Sequence, residues 1–247
     1  MSSDTIFYLV LGAFAGGFIN GLAGTGTALF ALGFYLVVLE PITAVAVVAL
    51  MSVLAGLQGI WIVRHAIRDN PRRPLQFIVP GLVGIPLGLS LLAVVNASAL
   101  RLGLAGLLIL YGGYFSFRTS LPAFTRATPY VDSLIGFIGG IMGGAAGISG
   151  AIPAMWVSMR AWPKAEIRAT MQSFNIVVLI TTVTLLYFKG AYDIIALTAL
   201  MITIPSGLFA AQIGIFVFGR LSDNMFRRLL IGLSLMIGIG VLISEVT

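Results

Sequence analysis

Eight uncharged, mostly apolar runs divide the chain, over residues 5–39, 41–63, 74–100, 102–117, 133–159, 169–188, 194–219 and 229–244. A bilayer core of about 30 Å takes about 20 helical residues to cross, so most of these runs predict transmembrane helices. Two of them are broken by glycine. The first carries Gly17-Phe18-Ile19-Asn20-Gly21-Leu22-Ala23-Gly24 and the second Gly136-Phe137-Ile138-Gly139-Gly140-Ile141-Met142-Gly143, identical at five of eight positions. Irregular backbone at membrane depth survives only where protein or a water-filled cavity satisfies its polar groups. Paired breaks in two halves of a chain therefore point to a transporter's binding site.

Charge decides how the broken runs are threaded. If both enter and return on one face, the other six runs cross. Arg64, Arg68, Arg72, Arg73, Arg118, Arg126, Arg160, Lys164, Arg168, Arg220, Arg227 and Arg228 then share one side, against Arg101 and Lys189 on the other, twelve to two. If both broken runs cross once, the same charges split seven and seven. Cytoplasmic loops concentrate Lys and Arg, which favours return. Returning only the second run also gives twelve to two, with the N-terminus inside. The internal resemblance, and the absence of Lys or Arg before the first run, favour both returning and an N-terminus outside.

The expected fold is an all-α integral membrane protein of two inverted-topology repeats. Residues 1–120 and 132–247 form the repeats, each a glycine-broken re-entrant or discontinuous segment followed by three transmembrane helices. Residues 121–131 are the expected cytoplasmic linker, with Pro122 and Pro129. Other landmarks pair with small insertions: Pro41 with Pro163, Gly88 with Gly214, Arg101 with Arg227 and Gly106 with Gly232. Trp61, Trp162, Tyr111, Tyr130, Tyr187 and Tyr192 lie near run ends, as an interfacial belt would. Gly84/Gly88, Gly136/Gly140 and Gly143/Gly147 are spaced for close helix contact, and glycine-rich outer faces permit a homodimer.

Composition agrees and narrows the chemistry. Hydrophobic residues make up 59% and charged residues 9%, with a mean hydropathy of +1.09, where soluble domains carry about 25% charge. The net charge of +6 reads as topology marking, not as a nucleic-acid footprint. Cysteine is absent, which removes disulfides and thiolate metal sites. The one histidine, His65, sits among arginines and reads as a loop residue. Glu40, Glu166 and Asp193 stand at run ends, and no carboxylate lies deep in a run. A proton relay normally needs one, as do a hydrolase's base and a metal cluster, so neither an enzyme nor a metal or cofactor protein is expected. Without a basic segment before the first apolar run, no cleavable leader is expected either.

The breaks themselves suggest an anion site. Asn20 precedes Gly21, and Gly24-Thr25-Gly26-Thr27 follows; the second break ends Gly147-Ile148-Ser149-Gly150. A short helix is expected after each, with Thr25, Thr27 or Ser149 able to cap it. Its free N–H groups and positive dipole end favour an anion. Arg168, Gln172 and Asn175 follow at i, i+4 and i+7, so they share one helix face. Their counterparts Ala46, Leu50 and Val53 are apolar, making the stripe an asymmetric addition. The ligands expected are Asn20, Gly24, Thr25, Gly26, Thr27, Gly147, Ser149, Gln172 and Asn175, with Arg168 attracting the anion at the cytoplasmic mouth. The competing explanation is that the amides hold helices together and Arg168 anchors the cytoplasmic end.

The glycine-rich opening of each half, the proline-then-helix at Pro41 and Pro163, and the basic loop after the second segment resemble the TauE/SafE sulfite exporter family. The resemblance spans essentially the whole chain. It implies a multi-pass inner-membrane protein that moves sulfite, sulfoacetate or related small organosulfur anions out of the cytoplasm, with lipid as its surroundings. The first half reads Gly24-Thr25-Gly26-Thr27-Ala28 where members often carry a denser glycine run. Two alternatives stand beside export: a permease of the same fold for another solute, import included, and a non-transporting scaffold with a dry polar lining.

Overall fold

The computed structural model describes residues 2–91, 97–117 and 124–246. These form ten helices: α1 (Ser3–Ala23), α2 (Thr27–Tyr35), α3 (Pro41–Asp69), α4 (Arg72–Leu91), α5 (Ala97–Ser116), α6 (Pro129–Ala146), α7 (Ala151–Ser158), α8 (Lys164–Phe188), α9 (Ile194–Arg220) and α10 (Asp223–Val246). Apart from an isolated bridge between Phe124 and Arg160, no strand occurs among the described residues. The chain is a multi-pass membrane protein. By length and apolar composition α1, α3, α8 and α9 can each cross a bilayer. Helix α6 begins at Pro129, within the 121–131 stretch. Arg118 and Pro122 lie outside the described residues, as does the side chain of Arg101.

Local chemistry sets the helix ends. The Thr5 N–H donates to Ser2 Oγ at 3.2 Å, capping α1, and the Ala196 N–H donates to Asp193 Oδ1 at 2.8 Å, capping α9. Pro41 and Pro129 open α3 and α6, where the missing proline N–H costs nothing. Both broken helices end alike. Gly24 closes α1 with φ 79° and Gly147 closes α6 with φ 69°, left-handed conformations that glycine adopts without a Cβ penalty.

After each break the chain doubles back. A Cβ on Gly16 would touch Thr27 and Ala31, and one on Gly12 would touch Tyr35, so α2 descends along α1. Gly143 likewise faces Ser149, and Gly139 faces Pro153, so α7 retraces α6.

The hairpins are locked in by glycine contacts that recur. Gly17 and Gly21 lie on the backbone of Gly207 and Ala211, so α1 and α9 rise together. Gly136 and Gly140 lie on Phe77 and Gly81, so α6 and α4 do the same. Small residues let backbones approach this closely. The Gly84, Gly88, Gly136 and Gly140 spacings thus make the contacts their pattern predicts, while Gly147 is itself a break.

Between the hairpins α3 and α8 run antiparallel. Gly56 faces Gln172 and Ile176, and Gly59 faces Arg168 and Gln172. At one end of the molecule Arg73 pairs with Glu166. There too, Lys164 Nζ donates to the carbonyls of Phe218 and Leu221, and Arg160 to Thr128 Oγ1 and the Arg126 carbonyl at 2.9 Å. Asp132 and Arg160 are both buried at this end, 3.7 Å apart, and Trp156 Nε1 donates to Asp132 Oδ1 at 2.6 Å. The turn holding Lys189 is at the opposite end, where Tyr192 Oη donates to the Ala46 carbonyl at 3.1 Å. Helix directions therefore gather the described arginines at one end, apart from Arg101 near the start of α5.

The register of the repeat needs correcting. The sequence match paired Gly24 with Gly143, but the closing residues of the two helices are Gly24 and Gly147. The offset is 123 residues, one helical turn from the match. The same offset joins the first residues of α3 and α8.

Candidate functional site

The two breaks meet in the interior. A Cβ on Gly150 would fall on Thr25 Oγ1 and within 2.8 Å of Thr25 Cβ, so only glycine lets the second break approach the first. A small cavity of about 10 Å³, room for about one water, lies between them. Of the residues expected at the site, Thr25, Gly26, Thr27, Gly147, Ser149 and Asn175 line it. None of its lining residues is charged.

Asn175 joins the breaks from α8. Its Oδ1 accepts from Ser149 Oγ at 2.8 Å and from Thr25 Oγ1 at 3.5 Å, the long limit of a hydrogen bond. Three elements distant in sequence thus meet at one carbonyl, all buried.

Those two bonds explain a departure from expectation. Thr25, Thr27 and Ser149 cap neither short helix. The caps are Gly26 for α2 and Gly150 for α7, and neither helix has a side-chain cap. The first-turn N–H groups of a helix have no partner within it. Thr27 and Ala28 of α2, and Gly150 at the start of α7, line the cavity, so both positive helix ends open onto it. Two such ends give a neutral site that favours an anion.

Asn20 does not line the cavity. Its Nδ2 donates to Thr27 Oγ1 at 2.7 Å and to the Ser52 carbonyl at 3.1 Å, tying α1 to α2 and α3. It positions Thr27, and its own Oδ1 is left buried without a partner. Gly24 also sits outside the lining, as the hinge of the break. Ser52 is the polar lining residue that the sequence did not single out, and its buried Oγ has no partner. Its signal was present: at the offset of 123 residues Ser52 is the counterpart of Asn175.

Arg168 and Gln172 are placed differently from expectation. Gln172 Nε2 donates to the Gly56 carbonyl at 2.9 Å, which is an interhelical tie, although its Oε1 is unpartnered. Arg168 is not at a mouth. It is 0% exposed, its guanidinium carbon lies 4.3 Å from the Phe218 ring centroid, and Nε, Nη1 and Nη2 have no hydrogen-bond partner. Neither residue lines the cavity. Both fit only because Gly24 and Gly59 lack side chains; a Cβ on Gly59 would stand 2.9 Å from Arg168 Nη2 and 2.5 Å from Gln172 Oε1. A buried charge without a counter-charge costs several kcal/mol.

No group of three or more His, Cys, Asp or Glu side chains suited to a metal occurs among the described residues.

The Sulfite exporter TauE/SafE family matches residues 8–241. No curated protein and no solved structure matches the chain. The family match covers both hairpins and the helices between them, and the chain therefore belongs to the sulfite exporter TauE/SafE family, a family of membrane transporters.

Proposed function

We propose that the protein exports sulfite or a related small sulfonate anion from the cytoplasm, binding it where the two helix breaks meet. The observation that carries this reading is the pair of uncapped helix N-termini opening onto one neutral cavity. Thr27, Ser52 and Asn175 supply hydroxyl and amide donors to the anion's oxygens, Thr25 and Ser149 hold the Asn175 amide through its Oδ1, and Gly26, Gly147 and Gly150 let the backbone close in. Asn20 holds Thr27, and Gly24 turns the chain.

The repeats are α1 to α5, within residues 1–120, and α6 to α10, within 132–247 apart from the first turn of α6, joined through the 121–131 stretch. Their inverted relation is supported by helix direction. α1 runs with α9 and α6 with α4, while α3 and α8 oppose one another. Exchanging the two halves maps each contact onto its partner. Such a frame suits alternating access, with the hairpins rocking about a fixed site. The arginine-rich end faces the cytoplasm of an inner membrane by the positive-inside rule, which puts Ser2 outside. With the interior negative, the potential drives each negative charge outward by about 2.3 kcal/mol per 100 mV, so efflux needs no proton relay.

The test is sulfite flux in proteoliposomes under an imposed potential, with sulfoacetate and taurine as competitors. Saturable, potential-dependent flux supports the reading, and the competitors rank specificity. Absence of flux from folded, inserted protein refutes it and turns attention to other solutes.

A further inference from the structure

The cavity between the breaks carries no charge, yet a permanent charge is buried close to it. Asn175 and Arg168 are seven residues apart on α8, about 10 Å along the axis. Asn175 lines the cavity and Arg168 does not. The three guanidinium nitrogens are all unpartnered, and Gln172 Oε1 between the two residues is unpartnered as well. The Phe218 ring lies against the guanidinium and supplies no hydrogen-bond acceptor to its N–H groups. Gly59 and Gly24 pack against the Arg168 and Gln172 side chains, where any larger residue would collide with them. The first turns of α4 and α8 lie beyond it, joined by Arg73 and Glu166.

We propose that Arg168 forms a second anion subsite, between the arginine-rich end and the neutral cavity, which takes an oxyanion before it passes to Asn175. The inference rests on the anion-transport reading above. A guanidinium presents two parallel N–H groups that match two oxygens of one sulfonate, sulfite or carboxylate group. A halide offers no such pair. The subsite therefore selects oxyanions over chloride, and the neutral cavity next to it releases them because only dipoles hold the ion there.

The experiment compares melting temperatures of purified wild type, Arg168→Met, Arg168→Lys and Asn175→Asp, in sodium sulfoacetate and in sodium chloride of equal ionic strength. Sulfoacetate at about 100-fold its dissociation constant should raise the wild-type midpoint by about 5–10 °C. Arg168→Met should lose at least half of that shift, and Arg168→Lys should fall between. In chloride Arg168→Met should melt no lower than wild type, because it removes an uncompensated buried charge. A much lower midpoint there would mean that the guanidinium is a structural strut, and would overturn the proposal. So would a sulfoacetate shift of Arg168→Met equal to that of wild type. If Asn175→Asp alone loses the shift, the cavity stands and the second subsite falls. If Arg168→Met alone loses it, the subsite stands and the cavity falls. No shift in wild type defeats both.

Discussion

Ser149 Oγ donates to Asn175 Oδ1 at 2.8 Å, so a residue in the second helix break is fastened to the middle of α8. Thr25, from the first break, reaches the same oxygen. Asn175 is thus the point where both halves are read together. Asn175→Asp keeps an acceptor for both hydroxyls but puts a negative charge in a neutral cavity. At about 4 Å two like charges repel by several kcal/mol in a protein interior. Sulfite flux should fall by at least about 100-fold, with the folded fraction unchanged on size-exclusion chromatography. Ser149→Ala removes one neutral hydrogen bond and should weaken apparent affinity by about 2- to 10-fold.

Gly150→Ala tests the contact between the breaks. The added methyl would overlap Thr25, and the hairpins would have to part. Transport should be lost, measured as initial flux per folded protein. Gly33→Ala in α2 meets nothing within 4 Å and should leave flux unaltered.

Gly140→Val tests the packing of the second hairpin. Its side chain would drive into the Gly81 backbone, separating α6 from α4. Overpacking of this kind costs about 1–3 kcal/mol, which a lowered midpoint of thermal unfolding in detergent would record.

The buried pair of Asp132 and Arg160 closes the arginine-rich end of the second hairpin. Removing one member of a buried pair leaves the other uncompensated and costs about 3–5 kcal/mol. Asp132→Asn should lower the melting midpoint, and the double variant Asp132→Asn with Arg160→Met should recover part of the loss.

Much of this was legible in the sequence, for definite reasons. Lys and Arg positions marked the two ends because the apolar runs that span a membrane carry few charges. Gly24 and Gly147 marked the breaks because left-handed backbone selects glycine. The repeat register slipped by one turn because glycines recur every four residues at Gly17 and Gly21 and at Gly136, Gly140 and Gly144, so a shift of four still matches glycine with glycine. The caps were misassigned because Thr25 and Ser149 hydroxyls find Asn175, a partner 150 and 26 residues away, instead of a local N–H. The burial of Arg168 depends on Phe218 and Gly59, on α9 and α3, which no local pattern around Arg168 reveals.

The central claim is that an anion binds where the two breaks meet, and the cysteine-free chain permits a direct test. Thr27 lines the cavity, so a Thr27→Cys variant can be labelled with a small hydrophilic thiol reagent in proteoliposomes, with and without sulfoacetate. The account predicts labelling that sulfoacetate slows in a saturable way, while an exposed control such as Ser116→Cys is labelled equally in both conditions. A Thr27→Cys variant that the reagent never reaches, or that sulfoacetate does not protect, would contradict it.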